Sequence, residues 1–149
     1  MLYADYLKQL HVCPFCDSKD RAICENPKAY LTYAKAPYHR HHLLVVPRRH
    51  MKSFTELTQE EKHAIDNLIE AGTKVLRQLG YRDYTVLVRE GESVGKTVEH
   101  LHYHIIPHSH IGDLDHDGQP RRILTEKEIT SVYDELKNAA KLISFNRMR

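Results

Sequence analysis

The segment that most constrains this chain is His100–Pro107, which reads His-Leu-His-Tyr-His-Ile-Ile-Pro. Successive side chains of a β-strand point to opposite faces, so a strand here presents three imidazoles on one face and Leu101, Tyr103 and Ile105 on the other. A face of imidazoles is unsuited to a plain core, because buried ring nitrogens need partners. The pattern therefore indicates nucleophilic catalysis or metal binding.

Length and composition predict one folded domain over residues 1–149, with an irregular arm at 1–20 and a C-terminal loop and helix at 109–149. Apolar residues make up 41% of the chain and the net charge is only +2, which gives no electrostatic case for nucleic acid. No segment has the length and apolarity of a membrane span or the pattern of a signal peptide, so we expect a cytoplasmic protein.

The order of predicted elements indicates an α+β domain. Strands are expected at 21–25, 29–34, 42–46, 84–90 and 100–107, and capping boxes at Thr58 and Thr125 predict helices that start there. Because strands and helices do not alternate, we expect an antiparallel sheet with helices packed on it. The apolar stripe of the second helix predicts core packing; it consists of Ile129, Val132, Tyr133 and Leu136.

The loop before the histidine strand is similar to a nucleotide-binding P-loop, but it does not match one. Gly91 lies one residue too close to Gly95-Lys96-Thr97, and a strand follows instead of the helix that would hold phosphate. These two differences exclude a nucleoside triphosphatase of that class. The loop can still bind phosphate through backbone N–H groups, the Thr97 hydroxyl and the Lys96 ammonium, or it is a solvated hairpin loop.

Two segments together resemble the histidine triad family of nucleotide hydrolases and transferases, in its zinc-containing bacterial or archaeal type. The first is Gly95–Pro107, and the second is His42–His50, which reads His-Leu-Leu-Val-Val-Pro-Arg-Arg-His. The resemblance covers about residues 13–108. It implies a five-stranded antiparallel sheet with two helices and a homodimer formed by extension of the sheet.

The resemblance also implies a reaction on a nucleoside phosphate derivative, such as a phosphoramidate or a dinucleoside polyphosphate. His102 attacks the α-phosphorus and forms a covalent nucleotidyl-histidine, which water or another acceptor then cleaves. His104 contacts the phosphate and the bridging oxygen, His42 supports the histidine network, and Thr97 donates to phosphate. An imidazole with a pKa of about 6.5 is largely neutral and nucleophilic at pH 7, which suits this role.

Three positions depart from the family pattern and concern the substrate. Lys96 stands where the family usually has Gln, and Arg89 stands where it often has Asn. Lys96 could favour a more anionic substrate, whereas Arg89 could reach a phosphate with two hydrogen bonds or face solvent. Together with Gly95, both are expected to bind the substrate. Ala34 replaces the residue that usually holds the ribose hydroxyls, and Thr32 is the nearest polar substitute.

Cys13-Pro14-Phe15-Cys16 has the spacing of a metal knuckle. By resemblance, His50 and His100 complete a structural zinc site that ties the arm to the sheet. The alternatives are unliganded thiols and a redox pair, although a redox pair needs a βαβ context that this sequence lacks.

Two further functions fit the sequence. One is a non-catalytic, zinc-stabilised module that binds a nucleotide or a partner, and the other is an enzyme that processes nucleic-acid ends by the same chemistry. The near-balanced charge disfavours the second. His108, His110 and His116 are expected in a solvated loop, or beside the leaving group.

Overall fold

The structure is a computed structural model that describes residues 1–17, 21–109 and 112–143. The chain divides into two compact units, Met1–His110 and Ile111–Arg149, which we describe separately. No helix among the described residues has the length and apolarity to cross a membrane. That residues 1–149 form a single domain stays a prediction.

The first unit contains one five-stranded antiparallel sheet, as predicted. Its strands are β1 (Cys24–Glu25), β2 (Ala29–Tyr33), β3 (Leu43–Pro47), β4 (Tyr84–Val88) and β5 (Tyr103–Pro107). Their order across the sheet is β1-β2-β3-β5-β4. In the middle of the sheet, Leu44 lies opposite Thr32 on one side and His104 on the other.

The histidine strand begins later than the sequence predicts. The ladder with both neighbours of β5 starts at Tyr103, so His100 and His102 precede the strand. The cause is a different hydrogen bond, because the Leu101 N–H donates to the Met51 carbonyl oxygen at 2.7 Å. β1 is also shorter than predicted and spans only the two residues that pair with β2.

Helix α2 (Gln59–Gln78) covers one face of this sheet. It begins with the predicted capping box between Thr58 and Glu61. Gly80 follows its last turn with φ +96°, a conformation that favours glycine. Within α2, Gly72 permits a close approach to β5, since a Cβ at this position would lie 2.6 Å from Cδ1 of Ile105.

The two faces of the sheet carry two different clusters. The cluster under α2 includes Leu101 and Ile105, both fully buried. The opposite face carries a smaller cluster of buried residues, namely Phe15, Tyr30, Leu44 and Val46. His104 pairs with Leu44 in the ladder, so its side chain belongs to the face opposite α2.

Part of the arm is helical, which the sequence did not predict. A short helix, α1, spans Tyr3–Lys8 and has no buried residue. A single short turn of this kind contains too few residues for an apolar periodicity to show.

The second unit contains helix α3 (Glu126–Ala140), which Thr125 caps through the N–H of Glu128. None of its residues is buried. The predicted apolar stripe is 38–66% exposed. The expectation that this stripe packs in a core is therefore wrong for the described residues.

Candidate functional site

Three histidines predicted from the sequence meet on the sheet face opposite α2. His42 immediately precedes β3, His104 lies in β5, and His102 lies just before β5. Nε2 of His42 is 3.0 Å from Nδ1 of His104. The ring centroids of His102 and His104 are 4.8 Å apart. Folding thus brings together side chains from two separated segments, as the resemblance implies.

The protonation of His102 follows from its hydrogen bond. Its Nδ1 lies 2.8 Å from the carbonyl oxygen of His100. A carbonyl oxygen only accepts, so Nδ1 carries the proton and Nε2 keeps its lone pair. The ring of Phe15 packs against the imidazole, with centroids 4.9 Å apart. An oriented ring with a free lone pair is what a nucleophilic histidine requires.

A second chain of hydrogen bonds determines the protonation of His104. The backbone N–H of Tyr38 donates to Nδ1 of His42 at 3.2 Å, so neutral His42 carries its proton on Nε2. That proton is donated to Nδ1 of His104. Neutral His104 consequently carries its own proton on Nε2, where it can donate to a bound group.

Burial keeps these imidazoles neutral at pH 7. It lowers the pKa of His42 to about 4 and the pKa of His104 to about 3. Burial also lowers the pKa of His102, while the hydrogen bond to His100 acts in the opposite direction. The positive charge of Arg89 adds to the lowering at all three histidines.

A cavity of about 470 Å³ lies over the histidines. Its wall includes Arg89, Ala34 and residues 95–98 of the loop before β5. Gly95 in that loop has φ +87°, which a side chain would strain. The other residues of the wall are Tyr3, Tyr6, Pro14, Phe15, Arg21, Tyr33, Lys35, Ala36, Pro37, Tyr38, His42, Leu44, His102 and His104.

Helix α1 supplies two residues of this wall that the sequence did not reveal. The Tyr3 hydroxyl is 2.7 Å from Oγ1 of Thr97. The Tyr6 hydroxyl accepts a hydrogen bond from the Lys35 ammonium at 3.4 Å. The only signal in the sequence is a pair of tyrosines three residues apart, which share one face of a helix.

Thr32 does not line the cavity, and this corrects the expectation that it substitutes for the ribose-binding residue. It is fully buried, and its hydroxyl donates to the carbonyl oxygen of Arg21 at 2.8 Å. At the family's ribose position, Ala34 offers only a methyl group. Lys96 lines the cavity, but its ammonium donates to the carbonyl oxygen of Lys52 at 2.6 Å.

The two cysteines of the knuckle meet His50 and His100, as predicted. One ligand atom from each of the four residues lies within 4.8 Å of all the others. Sγ of Cys13 is 3.2 Å from Nδ1 of His100. Sγ of Cys16 is 3.3 Å from Nδ1 of His50 and 3.5 Å from Nδ1 of His100.

These separations fit a tetrahedral metal ion. Ligand distances of about 2.3 Å for sulfur and 2.0 Å for nitrogen place adjacent sulfur and nitrogen atoms about 3.5 Å apart. Nε2 of His100 donates to the Pro47 carbonyl oxygen at 2.7 Å, which leaves the lone pair on Nδ1 facing the sulfurs. The cluster therefore has the donor set, spacing and outer hydrogen bond of a metal site.

His108 is not part of either cluster. His108 has φ +53° and its N–H donates to the Asp83 carbonyl oxygen, but it does not line the cavity. His116 is exposed beside Asp117 in the second unit. His110 lies outside the described residues.

The chain is similar to several known proteins. An adenosine 5'-monophosphoramidase of Schizosaccharomyces pombe is 30% identical over 106 residues, which is 71% of this chain and 77% of that protein. The bifunctional bis(5'-adenosyl)-triphosphatase/adenylylsulfatase of Arabidopsis thaliana is 31% identical over 68% of this chain. The match covers 57% of the length of that A. thaliana enzyme. An uncharacterised HIT-like protein of Methanocaldococcus jannaschii is 34% identical over 48% of this chain, and the match covers 55% of that protein.

The fold has solved counterparts. A histidine triad nucleotide-binding protein from Candida albicans superposes with a TM-score of 0.70 at 22% identity, over 89% of this chain and 100% of that one. The family model described as "HIT domain" matches residues 17–111, which is well over half of the chain. This chain therefore belongs to the histidine triad (HIT) family.

Proposed function

We propose that this chain is a nucleotidyl hydrolase or transferase that acts through His102. The observation that carries the proposal is the imidazole of His102 in the cavity wall, with Nδ1 bonded to the His100 carbonyl oxygen and Nε2 without a hydrogen-bond partner among the described residues. The S. pombe relative is named as an adenosine 5'-monophosphoramidase, and the A. thaliana relative as a bis(5'-adenosyl)-triphosphatase/adenylylsulfatase. Those names support a nucleoside phosphate derivative as the substrate class.

In the proposed first step, Nε2 of His102 forms a bond to the α-phosphorus. The bond from phosphorus to the bridging atom breaks, and its electron pair leaves with the departing group. The Nε2–H of His104 donates to the phosphate and the bridging atom, and the Thr97 hydroxyl donates to a phosphate oxygen. Water then forms a bond to phosphorus and loses a proton to solvent. The bond from phosphorus to Nε2 breaks with its electron pair on nitrogen, which releases the nucleoside monophosphate and restores the neutral imidazole.

An assay of nucleoside monophosphate release tests the proposal. The substrates are adenosine phosphoramidate, diadenosine triphosphate and diadenosine tetraphosphate. We expect turnover of at least one, and a loss of about 10³-fold or more in His102→Asn, since the nucleophile itself is removed. His63→Asn is the matched control, because His63 is exposed on α2. Full activity of His102→Asn would refute the mechanism.

One observation favours a non-catalytic binding module as the second candidate. The expected phosphate donors are engaged with the protein, since Thr97 contacts Tyr3 and the Lys96 ammonium contacts Lys52. Tight binding of AMP without turnover of any of these substrates would favour the module over the enzyme.

For the cysteine and histidine cluster we propose zinc. Two thiolates and two imidazoles are a zinc donor set, and four protein ligands leave no open position for chemistry. A bound zinc ion would act as a structural link between the arm and the segment before β5. Metal analysis of purified protein should find about one zinc per chain, and Cys13→Ser should reduce this content. Retention of full zinc in that variant would contradict the assignment.

We also propose a homodimer through the edge strand β4. β4 ends the sheet order and has no neighbour on its outer side within the described part of the chain. Val86 on this strand is 42% exposed. Light scattering after size exclusion should give twice the chain mass of 17.4 kDa, and Val86→Lys should shift it towards the monomer.

A further inference from the structure

The cavity over the histidines is strongly cationic. Four of the described residues that line the cavity carry full positive charges, namely Arg21, Lys35, Arg89 and Lys96. No aspartate or glutamate is among the described lining residues. The whole chain, in contrast, is nearly balanced, with 22 basic and 20 acidic residues. A wall of this kind favours a ligand with several negative charges.

Three of the four cations already have protein acceptors. Arg21 donates to the carbonyl oxygen of Pro14. The Lys35 ammonium donates to the Tyr6 hydroxyl, and the Lys96 ammonium donates to the carbonyl oxygen of Lys52. These hydrogen bonds use N–H donors that the three cations would otherwise offer to a ligand. Arg89 is the fourth cation of the wall.

Arg89 is placed differently from the others. It immediately follows β4, and its guanidinium lies 5.7 Å from the centre of the Tyr38 ring. Within residues 1–17, 21–109 and 112–143, its guanidinium forms no ion pair or hydrogen bond. Its five N–H donors are therefore available. A guanidinium held on an aromatic ring can still bind phosphate oxygens with two parallel hydrogen bonds.

The proposed reaction has a specific need for such a group. One α-phosphate carries a single negative charge in either substrate class, and His104 and Thr97 are already assigned to it. When the leaving group is a phosphate, the electron pair of the broken bond adds negative charge to it. When the leaving group is an amine, its nitrogen takes up a proton from solvent as the bond breaks and leaves uncharged, so no anion of this kind forms. An additional fixed cation thus assists the first class and not the second.

We propose that Arg89 binds the phosphate next to the one that His102 attacks, and that the preferred substrates are nucleotide anhydrides rather than phosphoramidates. This inference rests on the proposed function. In the step, the bond between Nε2 of His102 and the α-phosphorus forms while the bond from that phosphorus to the bridging oxygen breaks. The bridging oxygen leaves with the electron pair as part of a terminal phosphate, and Arg89 neutralises its charge without proton transfer.

The first part of the test compares kcat/KM for diadenosine tetraphosphate and for adenosine phosphoramidate in three proteins. These are the wild type, Arg89→Gln, which keeps a polar side chain but loses the charge, and Arg82→Gln, which removes an exposed arginine before β4 that does not line the cavity. We expect Arg89→Gln to reduce kcat/KM for the tetraphosphate by about tenfold or more and for the phosphoramidate by less than about threefold. Arg82→Gln should change neither.

The second part measures binding and needs no turnover. Calorimetric titration should show that the wild type binds ADP more tightly than AMP, and that Arg89→Gln loses most of this difference. Equal losses on both substrates, or an unchanged preference for ADP in Arg89→Gln, would overturn the inference. Absence of turnover with a normal ADP preference would instead refute the proposed function and retain the anion site.

Discussion

At the scale of single residues, His100 links the two clusters. Its side chain directs Nδ1 at Cys13 and Cys16, and its carbonyl oxygen holds Nδ1 of His102 at 2.8 Å. Phe15 of the knuckle also packs on the ring of His102. A displacement of Cys13–Cys16 would therefore move His102, the proposed nucleophile, through its contacts with His100 and Phe15.

The lowered pKa of His102 gives a prediction for the pH dependence. Burial favours the neutral, nucleophilic form, so protonation should inactivate the enzyme only below the ordinary histidine pKa of about 6.5. We expect kcat/KM to stay level from pH 8 downwards and to fall with a midpoint below about 6.5. The profile should be measured with excess zinc, to separate protonation of the cluster. A midpoint above about 6.5 would contradict this account.

At the scale of elements, the start of α2 is tied to the segment that carries His50. The Glu61 carboxylate accepts a hydrogen bond from the Thr58 N–H and forms an ion pair with Arg49, in which Nη2 of Arg49 is 2.8 Å from Oε1 of Glu61. The Glu61 side chain is only 5% exposed. Arg49 directly precedes His50, so the capping box also positions one member of the cysteine and histidine cluster.

Glu61→Gln should therefore reduce the free energy of unfolding by about 2 kcal/mol at pH 7. The Arg49 guanidinium is the main reason that the pKa of Glu61 falls to about 2, against an ordinary value of about 4.3. The charge of Glu61 contributes fully above the unfolded-state pKa, and this contribution is lost as the pH falls from there towards the folded-state pKa.

Urea unfolding of the wild type and of Glu61→Gln at pH 7 and pH 3 measures the difference between their free energies of unfolding. It should shrink at pH 3, and a difference that does not change with pH would contradict the ion pair. Glu70→Gln is the control, because Glu70 and its partner Lys74 are both exposed, and we expect a change within about 0.5 kcal/mol.

The elements also show where sequence reasoning succeeds and where it fails. Short apolar runs between turn signals and the Thr58 capping box were sufficient to place the strands and α2, since both are local features of the sequence. They could not show that the Leu101 N–H bonds to the Met51 carbonyl oxygen, so that the ladder of β5 starts only at Tyr103. Periodicity also could not show that the apolar stripe of α3 stays exposed. It predicts that apolar side chains share one face of a helix, but not whether another element packs on that face.

The same limit applies to the site. The histidines and cysteines were found because their spacing is tied to their chemistry. The sequence did not reveal Tyr3, and it suggested a wrong role for Thr32, because their contacts to Thr97 and Arg21 depend on how separate segments meet. Such contacts have no signature in one sequence.

At the scale of the whole molecule, the proposed zinc ion joins the arm to the sheet. Chelation should lower the melting temperature and also reduce kcat/KM, because Phe15 and His100 both contact His102. Added zinc should restore both quantities. Cys24→Ser is the control, since Cys24 lies in β1 outside the cluster and should leave zinc content unchanged. Full activity in metal-free protein would show that the two clusters are independent.

The central claim is that His102 becomes covalently nucleotidylated, and rapid-quench mass spectrometry tests it most directly. The protein is mixed with diadenosine tetraphosphate, quenched in alkali, where a phosphorus–nitrogen bond survives, and digested. We predict one adenylyl group on the peptide that contains His102, formed and lost at rates consistent with turnover. Turnover with no adduct at any time, or with the adduct on another residue, would contradict the account.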